Sequence, residues 1–411
     1  MQISLEERKA IDDMFRCRNL LEHMVCYQYH LEQLKDWTFV VFSDSQGSKL
    51  PDALCTNYDN EFAVINLGCD SKCYAMNKSI YEEMLATGKS NYNIDVCVDL
   101  DTQAVSYMKN IFKEYNQKID YSNIEDLVHY LQLPNVNYSC FPYLVENAAK
   151  KDSINIIEVY KNIKSIMLFK AFNYHRLLQN KNCVYDKSEA DIQIDTDLLY
   201  NDFHSDRFME CCSAFSEVQK MVYILLMKSI CIEFTNSKRS AKNKMLDLLD
   251  FMNEKLGVFM EREFEICFRY FEHDNRTKKF FKKIQKNSNR LNETINGMAW
   301  DLVHIRLIEN EYTTILIKDV KFAIHMLLTF DNGLKEILQI NPIEQIALGK
   351  DIAIPKLKNN WINSIEGAYE KIKGKENEDK RIRTRATIDV LSLCRETERE
   401  LEQCMKKVNS I

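Results

Sequence analysis

Asp101, Asp301 and Asp331 are the residues whose types and placement could do chemistry. Asp331 ends an almost wholly apolar run, Phe322 to Phe330; Gly333 then permits a sharp turn, and Leu334, Ile337 and Leu338 restart with helical spacing. A carboxylate is thereby delivered at the end of a buried strand, which in open α/β sheets is where ligands bind. Asp101 is placed alike: Ile94, Val96, Val98 and Leu100 alternate as a strand does, and Ala104, Val105 and Met108 switch to helical period. Asp99 is its rival, since a one-residue shift of the strand end exchanges the two. Asp301 lies on the edge of a helical stripe made by Leu291, Ile295, Met298, Leu302, Ile305 and Ile308. A carboxylate on such a rim needs a metal, a base or an amide to compensate it. Each acid alone has an ordinary role in a turn or helix cap; the three together point to one site.

Asp101-Thr102 through Ser106 after a strand, Ala299-Trp300-Asp301-Leu302 on a helix, and Thr329-Phe330-Asp331 closing an apolar strand resemble, in order, the acidic residues of PIN-like nucleases. The resemblance covers residues 90–175 and 290–340. It implies a small parallel Rossmann-like sheet and hydrolysis of phosphodiester bonds with Mg²⁺ or Mn²⁺ held by three or four carboxylates. The family also implies an acid between the first and third aspartates. Glu146, at a helix start after Pro142, is the candidate, with Glu158 as runner-up. A phosphodiester is anionic with a poor leaving group, and hard divalent ions neutralise charge and lower the pKa of bound water. Oxygen ligands suit such ions, so Asp101, Glu146, Asp301 and Asp331 are expected as ligands, directly or through water. No side-chain nucleophile is required. By the same resemblance RNA is expected rather than DNA, in a toxin or phage-defence setting.

The formal net charge is −6, which argues against general coating of nucleic acid and leaves any contact to a local patch. Arg276 to Arg290 is such a patch, with seven basic residues, no acid, and Phe280 and Phe281 interleaved. Lys278, Lys279, Lys282, Lys283, Lys286 and Arg290 are its candidates for phosphate contact, and the phenylalanines either stack on unpaired bases or belong to the core. Helical histidine nucleases of the HEPN kind need Arg-x4-6-His; Arg269-Tyr-Phe-Glu-His273 is one residue short. His304, three residues after Asp301, could orient water or phosphate, or be a satisfied structural histidine. Glycine-rich nucleotide loops, a serine-hydrolase elbow and HExxH do not occur. The contrasting class is a non-catalytic helical interaction protein, whose acids would be scattered and each paired with a base.

The elements that must position these residues follow from composition and pattern. With 411 residues, 9 Gly and 5 Pro, the chain is large, helix-rich and poor in tight turns. With the PIN-like resemblance, the expected fold is α/β, a small parallel Rossmann-like (PIN-like) sheet with, as the resemblance implies, a large helical insertion, and a helical carboxy-terminal appendage. Residues 1–88 read as a helix over 1–36 followed by short β runs, TFVVF and FAVINL, which either join the sheet edge or form a subdomain. Residues 89–176 and 291–340 are the two parts of the PIN-like domain, and 177–290 is the insertion between them, a surface for a regulatory partner or a second copy. Within 341–411, helices are expected over Trp361 to Ile372 and Ala386 to Val408, with GKENEDKRIRTR as a solvated linker. Fourteen cysteines without framework spacing suggest reduced thiols in the cytoplasm. The amino terminus is charged and amphipathic rather than a secretory signal, and Met221 to Met227 is too short to cross a bilayer, so no membrane is expected.

Overall fold

A computed structural model describes residues 3–50, 62–68, 72–90, 94–114, 130–131, 136–150, 155–173, 184–285, 290–311, 322–349, 352–359, 361–365 and 367–409. The chain is a helix-rich α/β protein with two sheets.

The helix expected over 1–36 is broken into α1 (Leu5–Arg16), α2 (Leu20–Tyr29) and α3 (Leu31–Leu34). Capping explains the break: Ser4 and Glu7 form a capping box, and Asn19 accepts from the Glu22 amide to start a second helix. Then follow β1 (Thr38–Ser43), β2 (Ser48–Lys49), β3 (Ala63–Asn66), β4 (Lys72–Met76) and α4 (Lys78–Thr87). Residues on both faces of β1 are buried: Val40 and Phe42 join the main core, and Phe39 packs in a smaller one with Ile11, Met14, Tyr27 and Trp37.

Next come β5 (Ile94–Leu100), α5 (Thr102–Glu114), β6 (Val136–Ser139), α6 (Phe141–Ala149) and α7 (Ile156–Ala171). Then α8 (Glu189–Phe203), α9 (Asp206–Thr235), α10 (Ala241–Phe251), α11 (Glu261–Phe271) and α12 (Asn275–Phe281) form the helical stretch expected before residue 290. Helix α9 has 30 residues, about 45 Å at 1.5 Å per residue. Its almost continuous burial from Met221 to Glu233 matches its all-round apolar sequence.

The chain continues through α13 (Leu291–Glu311), β7 (Phe322–Thr329), α14 (Asn332–Leu338), β8 (Ile343–Leu348), β9 (Ala353–Leu357), α15 (Ala368–Lys373), α16 (Lys375–Thr387) and α17 (Val390–Asn409). Two expectations are corrected here. Residues 341–411 are not a purely helical appendage, because β8 pairs with β1 and β9 with β8, completing an antiparallel sheet of order β2-β4-β1-β8-β9. The charged run after Gly374 is helix α16, not a linker. Its charges dock it: Arg381 donates to Asn253 Oδ1 and Ile372 O, and Lys380 pairs with Glu254.

The second sheet has order β3-β7-β5-β6. β5 lies between β7 and β6 and is parallel to both, while β3 pairs antiparallel on the β7 edge. This sheet is therefore mixed rather than wholly parallel. Ala323 to Thr329 are all buried, as a parallel strand covered on both faces requires.

Candidate functional site

Asp101 and Asp331 leave the carboxyl ends of neighbouring strands. Leu100 of β5 lies opposite Leu328 of β7, and the Asp101 amide donates to Leu328 O at 3.3 Å, tying the strand ends together. Each aspartate then starts a helix. Asp101 Oδ1 accepts from Ala104 N at 2.6 Å; Asp331 Oδ1 accepts from Gly333 N at 2.7 Å and Leu334 N at 3.1 Å. Gly333 fits that turn closely, since a Cβ there would stand 3.0 Å from both Asp331 Oδ1 and the Phe280 Cα, and these neighbours would have to give by a few tenths of an ångström.

Asp301, on α13, is brought to the same place. Lys283 Nζ donates to Asp301 Oδ2 at 3.0 Å and to Asp331 Oδ2 at 2.5 Å. Glu146, on α6, accepts from Thr102 Oγ1 at 2.5 Å and Lys150 Nζ at 2.6 Å, and His304 Nε2 stands 3.3 Å from its Oε2. All four acids, with Thr102, Lys283 and His304, line one cavity of about 640 Å³. Four separate segments of chain thus converge on one pocket.

The electrostatics divide the acids. Burial pushes Asp101 up to about 6; Thr329, the Ala104 amide and His304 pull it down, and Asp301 adds to the rise. Burial also raises Asp301, with Asp331 adding and Lys283 opposing. Burial would raise Glu146 too, but His304 and Lys150 outweigh it and hold that carboxyl down at about 2. Asp331 falls below the ordinary value because Lys283 and two helix amides outweigh its burial. His304 is held above the ordinary histidine value, the Glu146 contact outweighing burial. Among the described residues, Asp101 is the acid of the four with no ion pair to a base.

Glu158, in the first turn of α7, and Asp99, which contacts His325, do not line the cavity, whereas Glu146 and Asp101 do. Among the described residues, Lys283 is the member of the basic patch that reaches the cavity. Lys278 donates to Asn275, Lys279 to Glu336, and Arg290 stands 3.9 Å from Glu293. Lys282 is exposed, and Lys286 lies outside the described residues. Phe280 and Phe281 are core residues, the latter stacked on Tyr270, so they are no platform for bases. Arg269 pairs with Glu265 and Glu272, and His273 is exposed away from the cavity.

Some participants carried little signal in sequence. Lys150 is marked only by its one-turn spacing from Glu146. Tyr107 lines the cavity, is about half exposed, and stacks on Phe330 with ring centroids 4.3 Å apart.

The four carboxylates that line this cavity are hard oxygen donors of the type Mg²⁺ and Mn²⁺ take, but no three of them bring oxygens within 4.8 Å of one another, so an ion would bridge them through water or after the side chains close in. Lys283 already places one positive charge between two of them. Comparisons with family models, curated proteins and solved structures find no match for this chain.

Proposed function

We propose that the chain is a divalent-metal-dependent nuclease of PIN-like kind, acting on RNA. The observation that carries this reading is the convergence of Asp101, Glu146, Asp301 and Asp331 on one cavity at the carboxyl ends of parallel strands. These four residues would hold Mg²⁺ or Mn²⁺. Such an ion, when bound, supplies charge neutralisation at the phosphate and a lowered pKa for its water.

The chain's own residues prepare the pocket. Helix amides fix Asp101 and Asp331 through one oxygen each, so neither side chain has to be ordered when a ligand arrives. His304 and Lys150 keep Glu146 ionised. Lys283 holds Asp301 and Asp331 together and brings the nearest positive charge for an anionic substrate. Tyr107 offers a face at the cavity wall on which an unpaired base can stack, which favours a single strand. The preference for RNA, and a toxin or defence role, rest on the family resemblance.

One observation favours a second reading. Lys283 bridging two carboxylates, with Glu146 paired to two bases, is also what a structural clamp in a non-catalytic interaction protein would look like. Incubation of labelled RNA and single-stranded DNA with Mn²⁺ separates the two. Cleavage by the wild-type chain and none by a folded Asp101→Asn variant is expected. Equal cleavage by both, or none by either, removes the enzyme and leaves the clamp.

A further inference from the structure

The face of β5 that ends in Asp101 carries Asp99 and then Cys97 below it. Side chains alternate along a strand, so Cys97 and Asp99 share that face, and Cys97 lies in register with His325 of the parallel neighbour β7. One ligand atom from each of Cys97, Asp99 and His325 lies within 4.8 Å of the others. His325 Nδ1 is 2.7 Å from Asp99 Oδ2, and Ser139 of β6 lies near the Asp99 carboxyl. Asp99 is fully buried, yet its Oδ1 has no hydrogen-bond partner. A buried carboxylate oxygen left in this state is costly, and a cation is one way to satisfy it.

We propose that Cys97, Asp99 and His325 form a transition-metal site that takes Zn²⁺. One sulfur, one imidazole nitrogen and one carboxylate oxygen are a borderline donor set, poorly matched to Mg²⁺ and well matched to zinc. Zinc bonds of about 2.0–2.3 Å in a tetrahedron put ligand atoms roughly 3.3–3.7 Å apart, within reach of this cluster by small side-chain shifts. Water or the Ser139 hydroxyl takes the fourth position. Cys97 is not fully buried, which leaves the ion a way in. On binding, the thiol proton passes to solvent and sulfur binds as thiolate; the proton held between Asp99 and His325 Nδ1 moves to His325 Nε2 or to solvent, and each of those two residues then bonds the metal. The ion would cross-link β5 to β7, the two strands whose ends deliver Asp101 and Asp331. This site stands apart from the acidic cavity, whose lining contains no cysteine.

The test is titration of the chelator-stripped chain with Co²⁺ alone, read by thiolate-to-cobalt charge-transfer absorption. The band is expected to saturate at one equivalent, to be bleached by Zn²⁺, and to disappear in Cys97→Ser and His325→Gln. It should persist in Asp301→Asn, so loss of the acidic-site reading would leave it intact. A melt of each variant without metal checks folding. Where a variant does not fold, Zn²⁺ must still raise the wild-type melting temperature after surface thiols are blocked. Absence of the band, an undiminished band in folded Cys97→Ser, or no Zn²⁺ effect on the thiol-blocked chain overturns the proposal.

Discussion

Lys283 shows how much one side chain decides in this pocket. Its ammonium is the charge that lets Asp301 and Asp331 stand on one cavity, and burial alone would lower its pKa, yet the two carboxylates raise it. Replacing it by Met leaves two partly buried acids facing each other. Hydrogen bonds to charged groups contribute about 1.5–3 kcal/mol, so Lys283→Met should lose about 1–3 kcal/mol, seen as a lower urea midpoint in metal-free buffer. An unchanged midpoint would mean that the acids find compensation elsewhere. The sequence marked Lys283 as one of a row of basic residues. That it turns inward depends on where α12 ends against α14, and pattern does not encode that.

At the scale of elements, the turn after β7 is the part on which the pocket depends. A Cβ on Gly333 would stand 3.0–3.1 Å from the Phe280 backbone, and the same turn aims Asp331. Gly333→Ala forces either α12 or the cap to move. A loss of about 1–3 kcal/mol is expected from overpacking of this kind, with weaker Mn²⁺ binding by calorimetry; wild-type stability and affinity would show that the contact has slack. The strand-to-helix switches at Asp101 and Asp331, and the helix bearing Asp301, were legible because each is a local change of period. What was not legible is long-range pairing. β8 and β9 look like short apolar stretches in a helical tail, and only their register with β1 makes them strands. Helix α16 has no apolar stripe, and two of the partners that dock its charges, Glu254 and Asn253, lie more than 100 residues away. His325 was invisible for the same reason: it sits inside an apolar run, and its partners are on β5.

For the whole molecule, the carboxy-terminal strands return to the amino-terminal ones, so neither end is an appendage. His23 of α2 seals that junction. It is fully buried, with Nε2 3.2 Å from Gln345 Oε1 of β8, Nδ1 2.9 Å from Asn19 O, and the Tyr74 hydroxyl of β4 3.1 Å from the same Nδ1. Burial lowers its pKa below the ordinary 6.5. The unfolded chain therefore takes the proton more readily. His23 contributes stability that is complete above the ordinary value and is lost as the pH falls through the folded one. The urea midpoint should drop between about pH 7.5 and about pH 5.5, and by less in His23→Gln; an equal drop in both would assign the effect to other groups. The four-stranded sheet and the helices that follow its strands bring four distant acids to a common pocket. The most direct test is a thermal melt with and without Mn²⁺ of the wild-type chain and of Asp301→Asn, since an ion bound only by the folded state must raise its melting temperature. A rise in the wild type that is lost in the variant is expected. No rise in the wild type, or the same rise in both, would contradict a divalent-cation site in that pocket.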